Sequence, residues 1–166
     1  TVKKPRKAGR FDYLVESVYQ FGESRKSKKV TDKVDLEHFA HFHRVEIGFS
    51  APVIYTPRLT LEYDYASGDS NGNDGRNGRF DSLFGARRFD YGPTGIYGPF
   101  KRSNLNSIGL RITARPSRFT EFMSSYRGFW RASKSDAWVA SGISDAANIA
   151  PRFLGQQLEV RMRWKI

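Results

Sequence analysis

The chain has 166 residues, of which 28 are Lys or Arg and 17 are Asp or Glu, so its formal net charge is +11; it contains no cysteine. Without cysteine, disulfide bonds, thiol catalysis and cysteine-based metal centres are excluded. An apolar content of 39% is too high for a disordered chain. No uncharged run reaches the roughly 20 apolar residues that a membrane-spanning helix requires, so a helical membrane protein is excluded as well.

Period-two alternation of apolar and polar residues predicts six long strands. The alternation is strict in the last of them, where Leu158, Val160 and Met162 share one face while Glu159 and Arg161 occupy the other. In chain order the predicted strands are 11–21, 39–49, 58–66, 106–115, 119–131 and 156–166.

The lengths of these strands and of their connections indicate a membrane barrel. The strands run to about 9–13 residues, whereas strands of soluble domains average about 5–6 and strands that cross a bilayer have about 9–11. Short turns at 50–57 and 116–118 alternate with long polar connections at 22–35, 67–104 and 132–155. We therefore predict an all-β fold: a segment of an antiparallel up-and-down transmembrane β-barrel, with short periplasmic turns and long external loops.

Aromatic residues lie towards the ends of the predicted strands. The chain has 13 Phe, 8 Tyr and 3 Trp, and barrels of the outer membrane carry aromatic girdles at both interfaces. Aromatic residues also favour strands in general, which is the alternative explanation. The charged character of the opposite faces favours the girdles.

Charged residues on the strands are predicted to point into the barrel, because Arg or Lys on the lipid face costs about 2–4 kcal/mol at the bilayer midplane. Such a cationic lumen would attract anions and lower the barrier to their passage. The alternative left open is that these charges pair with each other and rigidify the wall. The residues predicted to line the pore are Arg44, Arg58, Arg111, Arg115, Arg127, Arg131, Arg161 and Arg163, together with the carboxylates Glu62 and Glu159.

Two short segments hold most of the net charge. Residues 1–10 and 25–33 together carry nine of the eleven net positive charges. Basic clusters of this kind can neutralise nucleic-acid phosphates, but neither segment has interleaved aromatics or a nucleic-acid-binding motif. We interpret them as solvated basic turns and predict no nucleic-acid partner.

One segment resembles the hallmark of a known family. The run Leu61 to Asp69 (LEYDYASGD), an Asn/Asp/Gly-rich stretch to Gly78, and the following Phe80 to Phe84 (FDSLF) resemble the alginate export family of outer-membrane proteins. Weaker matches follow the same order along the chain from residue 10 onward, at 11–22, 95–105, 126–130 and 155–164.

The resemblance implies a barrel of about eighteen strands in a Gram-negative outer membrane, with an arginine-rich lumen that conducts a uronate polysaccharide outward. Arg161 and Arg163 match a family pair of pore arginines that lie two residues apart on a late strand. The implied partners are this anionic polymer, outer-membrane lipid and periplasmic export machinery, and no cofactor is expected. A general anion-selective porin and a receptor-like barrel for another anionic solute are the alternatives.

Six strands are too few for a closed membrane barrel, because about eight is the practical minimum. We therefore expect residues 1–166 to form part of a larger barrel domain, a fragment that lacks the N-terminal strands and the last hairpin.

Two patterns that suggest metal ions are weak. The loop at 69–75 resembles a calcium loop, but Asp74 occupies the position that needs Gly and Phe80 the position that needs Glu. His41 and His43 could ligate zinc from one strand face, yet no third ligand is evident. We predict a turn-rich external loop and no metal site.

An enzymatic site is not expected. A barrel-borne hydrolase would need a serine nucleophile, and residues 142–146 (GISDA) lack the final glycine of the G-x-S-x-G elbow. A histidine could in principle pair across strands with Ser124 or Ser125, which is the least favoured alternative.

Overall fold

The structure is a computed structural model that describes residues 1–27, 30–82, 91, 100–138, 141–145 and 147–165. Its strands form one sheet in which each long strand pairs antiparallel with the next. They are β1 (Val2–Lys4), β2 (Phe11–Arg25), β3 (Asp35–Ser50), β4 (Arg58–Ala66), β5 (Arg76–Asn77), β6 (Leu105–Ala114), β7 (Thr120–Trp130) and β8 (Phe153–Trp164).

The six long strands are the predicted ones, and the predicted all-β, antiparallel up-and-down fold is confirmed. The strand order is β1-β2-β3-β4-β6-β7-β8, while β5 pairs in parallel with β3 at Glu37 and His38. No pairing joins β1 to β8 within the described residues, so the sheet is open at both edges. None of the described residues forms a helix long and apolar enough to cross a membrane.

Three strands extend further than the alternation predicts, and one of them is β8, which begins at Phe153 instead of 156. β2 continues to Arg25 and β3 begins at Asp35, so their connection covers 26–34 instead of 22–35. Here the residues that continue the apolar face are Glu23, Arg25, Asp35 and Glu37, with Arg25 paired to Asp35 at 2.9 Å. Backbone pairing therefore continues after the apolar pattern has ended, and periodicity could not reveal it.

The two faces of the sheet differ in composition and in exposure. The apolar face is open, with Leu61 48% and Val160 62% exposed, whereas Glu62 on the opposite face is 0% and Arg127 5% exposed. A sheet of a soluble protein buries its apolar face, so this arrangement is inverted. It matches a barrel wall that turns apolar side chains to lipid and charged ones to the lumen.

The height of the apolar face fits an outer membrane. On β2 it runs from Phe11, whose ring lies 4.9 Å from that of Phe49, to Phe21, which pairs with Phe39. Ten residue steps of about 3.3 Å at a strand tilt of about 40° span about 25 Å along the barrel axis, the height of the apolar band of such barrels.

The apolar core lies on the charged face, at the end where the long connections meet. Phe80 and Tyr91, from the connection between β4 and β6, pack there against Phe42 and Phe129. Phe100 stacks on Phe129 with ring centroids 3.6 Å apart. The long connections thus fold back over the charged face.

Candidate functional site

Two of the predicted residues meet because a glycine lies between them. Arg127 on β7 and Glu62 on β4 are both paired with Gly109 of β6. A Cβ atom at Gly109 would lie 3.0 Å from Arg127 Nε, so the missing side chain lets the guanidinium cross the strand. Arg127 Nη2 then donates to Glu62 Oε2 at 2.5 Å, and its Nη1 donates to Asp64 at 2.6 Å.

The same cluster draws in arginines from the neighbouring strands. Arg111 Nη1 lies 2.7 Å from Glu62 Oε1, and Arg44 Nη1 lies 3.6 Å from Asp64 Oδ1. Arg44 also donates to Glu46 from Nε at 2.9 Å and from Nη2 at 2.6 Å. We call this the central ion cluster; its members are Arg44, Glu46, Glu62, Asp64, Arg111 and Arg127, three cations and three carboxylates.

A second arginine crosses a strand in the same way. Arg58 Nε donates to Asp12 Oδ2 at 3.0 Å, and its Nη2 donates to Asp12 Oδ1. The guanidinium passes over Gly48, where a Cβ atom would lie 2.3 Å from Arg58 Nη2. Alternation alone gives neither glycine a role, although Gly on the inward side of a strand often marks the close approach of another group.

The other predicted arginines either have few ion-pair partners or bind backbone carbonyls. Arg161 and Arg163 lie on the charged face of β8, and neither forms an ion pair with any described residue, nor does Glu159 on the same face. Arg115 lies 3.5 Å from Glu121 and its side chain is 67% exposed. Unpaired cations on this face therefore lie along β8.

Arg131 is used to hold a connection. It is 4% exposed, and it donates hydrogen bonds to the backbone carbonyls of Lys134, Ala150 and Pro151 at 3.0–3.2 Å. Its guanidinium thus closes the base of the connection between β7 and β8. Alternation predicts only that Arg131 points inward, like the other arginines, and not that it binds backbone carbonyls.

The hallmark segment forms a junction between connections. Ser67 N donates to His41 O, and His41 N donates to Ser67 Oγ, both at 2.9 Å. Gly68 lies against Asn104, since a Cβ atom there would be 2.1 Å from Asn104 Oδ1. Asn104 accepts from Ser133 N at 2.7 Å and donates to Ser133 O and to Ala137 O.

Asp136 completes this junction. Its buried carboxylate accepts from Asp69 N at 2.9 Å, from Arg79 Nε at 2.8 Å and from Ala137 N at 2.7 Å. Hydrogen bonds to Asp136 also raise the pKa of the Arg79 guanidinium above its ordinary value. The hallmark residues therefore join the two long connections that cover the charged face.

The calcium-like loop uses its polar side chains as turn caps. Asn71 Oδ1 accepts from Asn73 N at 3.2 Å, and Asp74 Oδ1 accepts from Arg76 N at 3.0 Å. These side chains stabilise tight turns, as Asn and Asp commonly do. Within the described residues, no group of three or more His, Asp or Glu side chains is placed to hold a metal ion.

His41 and His43 lie in an aromatic cluster on the apolar face. His41 stacks on Tyr65 with ring centroids 5.5 Å apart and lies 4.9 Å from His43, and Tyr19 packs on both histidines. Strands β4 and β6 separate them from β7, so they do not meet Ser124 or Ser125. His43 Nδ1 instead lies 3.1 Å from Ser17 Oγ, within the apolar band.

A sequence model described as alginate export matches residues 3–166. The chain belongs to the alginate export family. This match confirms the resemblance that the hallmark segment suggested. No curated protein and no solved structure matches the chain.

Membership of the alginate export family assigns these residues to a transport protein of the outer membrane. The family consists of outer-membrane β-barrels that export polysaccharide, and it is a family of transport pores. The open apolar face and the covered charged face are those expected of an alginate export barrel wall. That the arginines line a pore stays a prediction.

Proposed function

We propose that the chain forms part of the wall of an outer-membrane pore in a Gram-negative cell envelope, through which an anionic polysaccharide of the uronate type diffuses outward. The observation that carries the proposal is the charged face, on which arginines from five neighbouring long strands project to one side. Lipid covers the apolar face, and periplasmic export machinery would meet the end with the short turns.

Different arginines play different parts in this pore. The central ion cluster balances its own charges, so its field is weak and its main effect is to fix the wall. Arg161 and Arg163 form no ion pair with any described carboxylate, and together they outnumber Glu159 on the charged face of β8. They supply the attraction for anions, because uncompensated charge in a lumen raises the local concentration of oppositely charged solutes.

The barrel closes, in this proposal, with further strands of the same gene product. Both edges of the described sheet offer unpaired backbone groups, and lipid cannot satisfy them. A barrel of roughly eighteen strands would leave a lumen wide enough for a polymer. Residues 1–166 are then part of one barrel domain.

Reversing the charge of Arg161 and Arg163 should remove the anion preference of the pore. In planar bilayers that contain the complete gene product, the Arg161→Glu/Arg163→Glu variant is expected to lower the anion-to-cation permeability ratio by about tenfold, since four units of charge change in the lumen. Reversal potentials in a salt gradient measure this ratio.

The matched control is Lys26→Glu/Lys33→Glu, which changes the net charge equally but lies in the connection between β2 and β3. It should leave the ratio nearly unchanged. An equal effect of both variants, or no anion preference in the unmodified pore, would contradict the proposal. Conduction of small anions without passage of uronate polymer would instead favour a general anion-selective porin.

The proposed lipid contact of the apolar face can be tested by measuring the stability of a variant that carries a charge there. Leu110 lies in the middle of β6 on the apolar face, beside Leu61 and Tyr126. Leu110→Arg is expected to lower the free energy of unfolding in lipid vesicles by about 2–4 kcal/mol, measured by urea titration. Val30→Arg, at a position 100% exposed between β2 and β3, should change it by less than about 0.5 kcal/mol. A small effect of Leu110→Arg would exclude lipid contact there.

A further inference from the structure

A cavity of about 290 Å³ opens at the short-turn end of the charged face. Its walls include Arg58 of β4, and Arg115 and Glu121 from the two sides of the turn between β6 and β7. Arg6 and Lys7, from the turn between β1 and β2, also line it. The proposed pore function did not use this basic turn, which sequence analysis interpreted as a solvated segment.

The backbone holds this turn against the mouth of the cavity. Gly9 has a φ of 72°, in the left-handed region where glycine is favoured, and its N–H donates to Ser50 O at 2.8 Å. Arg10 N donates to Lys7 O at 3.2 Å, which closes the turn. Arg6 and Lys7 are therefore tied to the end of β3.

The charges around the cavity do not balance. Arg58 is paired with Asp12, and Arg115 lies 3.5 Å from Glu121. Arg6 and Lys7 form no ion pair with any described carboxylate. Arg6 still acts electrostatically on Asp12, but Arg58 already pairs with that carboxylate, so the cavity keeps an excess of positive charge.

The other lining groups suit a sugar. Ser50, Thr56 and Thr113 also line the cavity, and hydroxyl side chains can exchange hydrogen bonds with sugar hydroxyls. Ligand pockets commonly measure about 300–1,000 Å³, so a cavity at the lower end of that range suits one sugar unit and its carboxylate better than a longer stretch of polymer.

We propose that this cavity is a binding site for a single carboxylate-bearing sugar unit, in which Arg6 and Lys7 hold the carboxylate at the short-turn mouth of the pore. The inference rests on the proposed export of a uronate polymer. It identifies the residues that the polymer would contact first on the periplasmic side. Cationic donors bind carboxylates with charge-assisted hydrogen bonds, and a single-unit site would hold one sugar while letting the chain advance.

The test measures block of ion current by a short uronate. The complete gene product is placed in planar bilayers, and a mannuronate tetramer is added to one side at a time. The Arg6→Ala/Lys7→Ala variant is expected to raise the half-blocking concentration by about tenfold from one side only, since two charge-assisted contacts are lost. The neutral maltotetraose should block both proteins equally weakly.

Two further variants complete the test. Lys26→Ala/Lys33→Ala removes the same charge at the opposite end and should leave the half-blocking concentration from the affected side unchanged, while the charge-conserving Arg6→Lys/Lys7→Arg should keep most of the block. If the tetramer blocks Arg6→Ala/Lys7→Ala as well as it blocks the unmodified protein, and the pore still prefers anions, the cavity site is wrong but the proposed function is not. An unmodified pore with neither anion preference nor block overturns the proposed function.

Discussion

Replacing Glu62 by Gln is expected to lower the free energy of unfolding by about 3–5 kcal/mol, the cost of removing one partner from a buried ion pair. The Glu62 side chain is 0% exposed and lies within 2.7 Å of both Arg111 and Arg127. A neutral amide would leave both guanidiniums without this counter-charge. Urea unfolding of the complete gene product in detergent micelles measures the loss.

The same variant should strengthen the anion preference. With Glu62 neutral, the central ion cluster changes from balanced to one net positive charge, so the anion-to-cation permeability ratio should rise by about twofold or more. Glu159→Gln is the matched control, because that carboxylate forms no ion pair with a described residue. It should cost less than about 1 kcal/mol. Equal losses for the two variants would show that the cluster does not hold the wall.

Gly68→Ala is expected to destabilise the junction of the long connections by about 3 kcal/mol, near the upper end for overpacking. The new Cβ atom would lie 2.1 Å from Asn104 Oδ1, and Asn104 cannot move freely because it bonds Ser133 and Ala137. Hydrogen exchange should become faster at four amides whose hydrogen bonds belong to this junction, those of Ser67, Asp69, Ser133 and Ala137.

Gly72→Ala serves as the control within the same connection. The nearest atom to its new Cβ would be Asp69 Oδ2, at an ordinary contact distance of 3.8 Å. Neither stability nor exchange should change measurably. If Gly68→Ala behaved like this control, Gly68 would have no packing role and the hallmark segment would need another explanation.

The long strands could be predicted because each has one exposed apolar face, so that every second residue is apolar. Arg58 to Ala66 shows this most simply: the predicted bounds are the observed ones. The pattern was lost beyond Phe21 and Phe39, where the apolar face becomes charged although β2 and β3 continue. Alternation thus predicts the apolar band of a strand and not its full length.

Side-chain partners could not be predicted in the same way. The inward position of Arg127 followed from alternation, but its partner Glu62 is two strands away, and only the pairing registers bring the two together. The role of Arg131 depends on how a connection folds back to it. Both contacts join distant parts of the chain, and no local pattern encodes them.

The two strand-crossing arginines have a consequence for assembly. A slip of two residues between neighbouring strands keeps the apolar side chains on the same face of the sheet, so the apolar pattern alone cannot exclude it. Such a slip of β6 against β7 would put Ser107 or Arg111 beneath Arg127 in place of Gly109, and Gly48 gives Arg58 the same dependence on register. Each glycine therefore leaves room for its arginine in one strand register only. In any other register the arginine would clash with a side chain on the charged face, which destabilises a sheet with misaligned strands.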